Sequence, residues 1–169
     1  EIETNGLSVL ENVDAILIPG GFGERGTEGM IEAARFAREQ NIPFLGICLG
    51  LQIAVIEFAR HVAGLEDAHS TEFKPDCINP VIALVSEWIS KDGTHEIRSE
   101  KDELGGTLRL GSQGVKLKTQ TRSHAAYARD TIYERHRHRY EFDNQYLEML
   151  ESAGLIVSGF SEDELVEMI

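Results

Sequence analysis

The pentapeptide Gly46-Ile47-Cys48-Leu49-Gly50 places a cysteine where a nucleophile belongs. Pro43 to Ile47 is an apolar segment of strand length, and Leu49 to Arg60 is too long and too rich in helix formers for a strand. Cys48 therefore stands at a strand-to-helix turn, flanked by glycines. Gly-x-Cys-x-Gly is the thiol form of the nucleophile elbow: the turn is so tight that larger neighbours would collide, and the sulfur projects at the helix N-terminus. There the helix dipole and unbonded N–H groups favour thiolate over thiol. A buried packing role is the commoner fate of an intracellular thiol; the glycines decide against it here.

A thiolate attacking a carbonyl needs two donors aimed at the developing oxyanion. The backbone N–H of Leu49, next after the nucleophile, is one. The second comes from Pro19-Gly20-Gly21-Phe22-Gly23, which follows the apolar segment Asp14 to Ile18. In open α/β sheets, ligands lie beyond the carboxyl ends of the strands. The glycine loop and Cys48 both lie at such ends, and without side chains Gly20 or Gly21 brings its backbone close.

The elements that must hold these groups follow from periodicity. Asp14–Ile18 reads as a buried strand, 26–40 as an amphipathic helix, Pro43–Ile47 as a strand and 49–62 as a helix apolar on most sides. Two strand–helix units with short connections predict an α/β fold of three layers, a mostly parallel sheet flanked by helices. Pro80–Val85 reads as a further strand, Lys91–Thr94 as a turn and Gly105–Gly111 as an antiparallel strand. Ser123–Arg129 reads as a short helix, Thr131–Phe142 as a strand, Asn144–Ala153 as a helix ending at Gly154, and Leu155–Gly159 and Leu165–Ile169 as closing strands. No repeat or interdomain linker interrupts the 169 residues, which are read as one domain.

A formal net charge of −13 argues against nucleic acid as a partner. No run approaches a membrane span. Two cysteines make no disulfide framework and point to a reducing cytoplasm; Cys77, in a loop, is given no role. Cysteine and histidine spacing predicts no metal site. The basic run Arg135-His136-Arg137-His138-Arg139 suits a strand with arginines on one face and histidines on the other, and it suits contact with a small anion.

The glycine loop and Gly46-Ile47-Cys48-Leu49-Gly50-Leu51-Gln52 resemble the oxyanion strand and elbow of the class I (triad-type) glutamine amidotransferases. Gly29-Met30-Ile31, Ala34 to Glu39, Asn41-Ile42-Pro43, Ser70-Thr71-Glu72-Phe73, Gly105 to Gly111 and Glu134 to Glu141 resemble the glutaminase domain of the CTP synthases, over nearly the whole chain. The resemblance implies a flavodoxin-like fold. It implies that Cys48 attacks the side-chain amide of L-glutamine, with Gly21 and Leu49 as oxyanion donors. It also implies that Gly21, Leu49, Gly50, Leu51, Gln52, Glu72 and Arg139 contact glutamine. Arg139 would grip the α-carboxylate in a fork and Glu72 would accept from the α-ammonium, a partner for each charge. Thr107 and Arg109 match a segment linked to activation by GTP. In that family the glutaminase domain needs no cofactor or metal. A synthase domain of the same polypeptide uses ATP and Mg to aminate UTP, and the enzyme is a homo-oligomer.

The family's triad also needs a His-Pro-Glu segment after the last strands. This sequence stops at Leu165-Val166-Glu167-Met168-Ile169, and none of its six histidines precedes Pro-Glu. It opens just before the family's second strand and carries no synthase domain. The expectation is a partial glutaminase domain, inactive alone, since losing a triad partner costs orders of magnitude. Two other readings stand beside it. One is a thiol hydrolase of another branch, against which Glu72 and Arg139 argue because only an amino-acid substrate needs both. The other is a non-catalytic fragment with a role in assembly or regulation.

Overall fold

The computed structural model describes residues 2–84, 87–89, 95–97 and 109–169. It divides into two compact units, residues 1–82 and 83–169. The first unit alternates helix and strand: α1 (Ile2–Asn5), β1 (Ile16–Ile18), α2 (Thr27–Gln40), β2 (Phe44–Gly46), α3 (Leu49–His61) and β3 (Ala68–Ser70), followed by β4 (Asn79–Leu84), along which the chain passes into the second unit. β1 and β2 run parallel, with Ile16 opposite Phe44 and Ile18 opposite Gly46. Parallel neighbours require a crossover, and α2 provides it. β3 and β4 are also parallel.

Strand alternation sends Ile16 and Ile18 into the core, while Leu17 and Leu45 stay 59% and 58% exposed on the other face. α2 ends at Asn41, whose left-handed φ of 55° turns its N–H back onto the carbonyls of Ala37 and Arg38. α3 buries Ile53, Val55, Ile56 and Ala59 completely; the three larger ones each contribute about 1.5–3 kcal/mol. The same face carries Glu57, only 3% exposed, whose carboxylate accepts from Arg38 Nε at 3.1 Å and Nη2 at 2.8 Å. This forked pair ties α3 to α2.

The second unit is antiparallel. β5 (Glu87–Ile89) pairs with β6 (His95–Ile97), and β7 (Arg109–Leu117) pairs with β8 (Thr131–His138) from Arg109–His138 to Lys116–Thr131. α4 (Arg122–Tyr127) connects them, its N-terminus capped by Thr121 Oγ1, which accepts from the His124 N–H at 3.2 Å. β9 (Tyr140–Phe142), α5 (Leu147–Ser152), β10 (Gly159–Ser161) and β11 (Val166–Met168) follow, and the sheet order is β11-β10-β7-β8. Val115, Leu117 and Ile132 form its core with Met168 packed against them. Among the described residues no helix is long and apolar enough to cross a membrane.

The two strand–helix units of the first part fall where the sequence puts them, within two residues. Three expectations change in the second unit. The strand from Thr131 to Phe142 breaks at Arg139 into β8 and β9. The helix expected from Asn144 begins as a 3-10 turn, with the Asp143 carboxylate accepting from the Gln145 N–H at 2.9 Å. Leu155–Ser158 is not strand: the Leu155 N–H still closes α5 onto Leu150 O at 2.9 Å, so ladder geometry starts only at Gly159. β3 escaped the sequence reading because three residues including a histidine carry no alternation. The turn at 91–94, Thr107 and most of the segment 105–111 lie outside the described residues.

Replacing Arg38 by alanine removes the forked partner of the buried Glu57 carboxylate on α3 and leaves it, among the described residues, only His61, 3.3 Å away. We expect a loss of about 1–2 kcal/mol in urea unfolding. That is less than the 3–5 kcal/mol of a fully buried pair because the Arg38 side chain is 35% exposed.

Candidate active site

Cys48 is the residue between β2 and α3, with φ 55° and ψ −104°. A side chain at positive φ costs about 1–3 kcal/mol and persists only where its surroundings enforce it. The enforcement is visible on both sides. The Ile47 N–H bonds to Ile18 O at 2.9 Å, fixing the end of β2 to β1. Beyond the cysteine, Cys48 O accepts from Leu51 and Gln52 N–H at 3.0 and 3.2 Å, starting the helix. A Cβ on Gly46 would lie 2.4 Å from Gly50 O, and one on Gly50 would lie 2.2 Å from Ile18 O. Both glycines are therefore steric requirements of the turn.

The Gly50 N–H bonds to Ile47 O at 3.0 Å, so with Leu51 and Gln52 the first N–H groups of the helix are consumed by the turn itself. The Leu49 N–H, among the described residues, has no such backbone acceptor. The glycine loop lies against this point. A Cβ on Gly20 would sit 3.6 Å from Cys48 Cβ, and one on Gly21 would sit 3.1 Å from Leu49 Cδ2. Cys48, Gly21, Leu49 and the first turn of α3 are thus one constellation.

Glu72 belongs to the same unit, on the turn after β3. Burial pushes its carboxyl above the usual carboxylate range, opposed by a hydrogen bond it accepts from the Gly23 N–H. Arg139, half-buried, lies in the second unit between β8 and β9.

Each histidine with a described side chain lies beside a carboxylate. His61, at the far end of α3, lies 3.3 Å from Glu57, and His69 lies 3.6 Å from Glu28. His124 lies 2.9 Å from Asp130. His136 and His138 point inward from β8 while Arg135 and Arg137 are exposed, the alternation the sequence predicts. His136 Nε2 lies 2.7 Å from Glu167 Oε2 on β11, and its Nδ1 lies 3.0 Å from Glu134 O. His138 Nδ1 sits 3.0 Å from Glu141 Oε1, out of line for a hydrogen bond. Arg109 completes the cluster, reaching Glu141 at 3.3 Å and contacting Glu167.

The cluster holds Glu167 ionised: burial pushes the carboxyl up, but His136 and Arg109 outweigh it and hold it below its ordinary value. The Glu167 hydrogen bond raises His136 in turn, against burial and the nearby Arg109. The ligand atoms of His136, His138 and Glu167 lie within 4.8 Å of one another, a donor set that zinc accepts and that sequence spacing did not reveal. However, Arg109 and His136 occupy the two oxygens of Glu167, and a fixed guanidinium charge stands beside them. The chemistry is that of a closed ion network. Arg109, matched by sequence to a GTP-linked segment, has its guanidinium committed inside this network.

Two outcomes follow. Gly46→Ala or Gly50→Ala should cost about 2–4 kcal/mol in urea unfolding, since the added methyl meets backbone and not a movable side chain. For His136, the folded pKa is raised, so its contribution is complete below the unfolded value of 6.5 and disappears as pH rises through the folded value. The stability difference between the wild type and His136→Gln, measured from pH 5.5 to 9, should shrink as pH rises.

The family model of class-I glutamine amidotransferases matches residues 1–169. A solved structure, the glutaminase domain of Trypanosoma brucei CTPS with bound acivicin, matches with a TM-score of 0.80 at 34% identity over 95% of this chain. This chain spans 57% of the length of that one. The α/β fold is that of the trypanosome domain. The chain belongs to the class-I glutamine amidotransferases.

Proposed function

We propose that this chain is the glutaminase part of a CTP synthase. In this reading the Cys48 thiolate attacks the side-chain amide carbon of L-glutamine, the C–N bond breaks and ammonia leaves. Water then hydrolyses the γ-glutamyl thioester to glutamate and returns the thiol, dividing one hard hydrolysis into two easier steps. The observation that carries the reading is Cys48 at φ 55° on the N-terminus of α3, with the Gly20–Gly21 backbone beside it. The N–H groups of Leu49 and Gly21 would serve as oxyanion donors.

Gly50, Leu51 and Gln52 would line the amide site. Glu72 would receive the α-ammonium, which supplies the countercharge a partly buried carboxylate wants, and Arg139 would fork onto the α-carboxylate. The family's general base and orienting carboxylate are expected from a His-Pro-Glu segment, and none of the six histidines of this sequence precedes Pro-Glu. Ammonia would pass to a synthase domain that aminates UTP at the expense of ATP with Mg, in a homo-oligomeric cytoplasmic enzyme. The glutaminase step needs no cofactor of its own. GTP would act as activator, since Thr107 and Arg109 match a segment linked to that activation in the family. The internal pairs of Arg109 favour an indirect part for that residue.

Acivicin, the molecule bound in the trypanosome domain, is the natural probe. Incubation followed by intact-mass and peptide mapping should place one adduct on Cys48. Cys48→Ser should abolish it, and Arg139→Ala should slow labelling at least about tenfold, the scale of one lost charge-assisted contact. An adduct on Cys77 alone, or none, would sink the assignment. Labelling indifferent to Arg139→Ala would favour a thiol hydrolase without an amino-acid substrate.

A further inference from the structure

Glu141 lies on β9 and is buried, and it faces the same cluster as His138, three residues earlier on β8. Its Oε1 sits 3.0 Å from His138 Nδ1 and accepts from the Arg109 guanidinium at 3.3 Å. Arg109 stands opposite His138 in the ladder of β7 with β8, and it also contacts Glu167. The rings of His136 and His138 lie 5.1 Å apart on that face.

Residues three apart in an uninterrupted strand point to opposite faces. His138 and Glu141 share a face, so the chain changes face between them. It does so at Arg139, the bend between β8 and β9. The arm before the bend is held by the register of β8 on β7. The arm after it is held by the grip of Arg109 on Glu141. Arg139 itself is half-buried, and its side chain has no hydrogen bond or ion pair among the described residues. The reach of its guanidinium is therefore set by the angle of the bend.

We propose that Glu141 is a positioning residue for Arg139. By closing onto Arg109, its carboxylate fixes the bend from which Arg139 extends and aims the guanidinium at the substrate's α-carboxylate. The proposal rests on the glutaminase reading and deepens it, because it assigns the aim of the arginine to a group that never touches substrate. An arginine ordered only on binding loses rotamer freedom at that moment, and a fixed bend lowers that cost beforehand.

Two reagents separate the aim of Arg139 from the reactivity of Cys48. With acivicin, the Cys48 sulfur attacks the ring carbon that bears chlorine, the C–Cl bond breaks, and chloride leaves with the electron pair. Iodoacetamide alkylates the same sulfur with loss of iodide, and it carries no α-carboxylate for Arg139 to hold. Glu141→Ala should raise the half-saturating acivicin concentration about fivefold, less than the loss expected for Arg139→Ala itself. The saturated labelling rate and the iodoacetamide rate should not change. Glu141→Gln keeps an oxygen for Arg109 at the same reach and should recover most of the affinity. Glu141→Asp keeps the charge but withdraws the oxygen by one methylene, and should stay as weak as Glu141→Ala. Adding Glu141→Ala to Arg139→Ala should cost nothing further, since no guanidinium is left to aim.

Circular dichroism and urea midpoints establish that each variant folds. If Glu141→Ala does not, the comparison of Gln with Asp decides. Half-saturation at the wild-type value in Glu141→Asp, or a full further loss in the double variant, overturns the positioning role and leaves the glutaminase reading intact. A wild-type chain that acivicin does not label at Cys48 overturns both.

Discussion

Everything at the proposed site depends on how closely three backbone segments approach at one point. Gly46 closes β2, Gly50 lies in the first turn of α3, and Ile18 closes β1. No Cβ fits between Gly46 and Gly50, or between Gly50 and Ile18. That triple contact forces the chain to reverse within the space of one residue, and Cys48 takes the unfavourable φ as a result. The strain is not held by the cysteine. It is held by the parallel pairing of β1 with β2 and by the burial of α3, whose apolar face is completely excluded from water. A residue in a sparsely populated conformation survives where the surrounding packing over-determines it, and the first unit is built to do that.

The second unit uses a different device. Arg109, His136, His138, Glu141 and Glu167 come from β7, β8, β9 and β11 and meet as one cluster. The hydrogen bond to Glu167 raises the His136 pKa above its ordinary value, against burial and the nearby Arg109. Buried ion pairs contribute little net stability, because desolvation offsets most of the attraction, but removing one partner is costly. Such a network therefore specifies which strands belong together more than it strengthens them. His138, at the end of β8, immediately precedes Arg139, so the network fixes the strand end from which that arginine departs.

The elbow was legible because its requirements are local. A strand-length apolar run, a glycine on each side of a cysteine, and a long helical segment encode the turn without any distant contact. The glycine loop was legible for the same reason, and so was the alternation of β8, since Arg135 and Arg137 had to leave the face that His136 and His138 occupy. What escaped was set by distance in the chain. Glu167 reads as one more acidic residue on an acidic chain until β11 brings it to His136, 31 residues earlier. Leu155–Ser158 misled because its apolar residues satisfy a strand pattern while its first N–H is still closing a helix.

Burial pushes the Glu72 carboxyl above the usual carboxylate range, a cost that a cation beside it would relieve. In the glutaminase reading the substrate's ammonium would be that cation. A plain amide brings no such charge and would leave the cost of the buried carboxylate in place. Selectivity for an amino acid would then come partly from the charge state of Glu72, in addition to the contacts that hold the substrate.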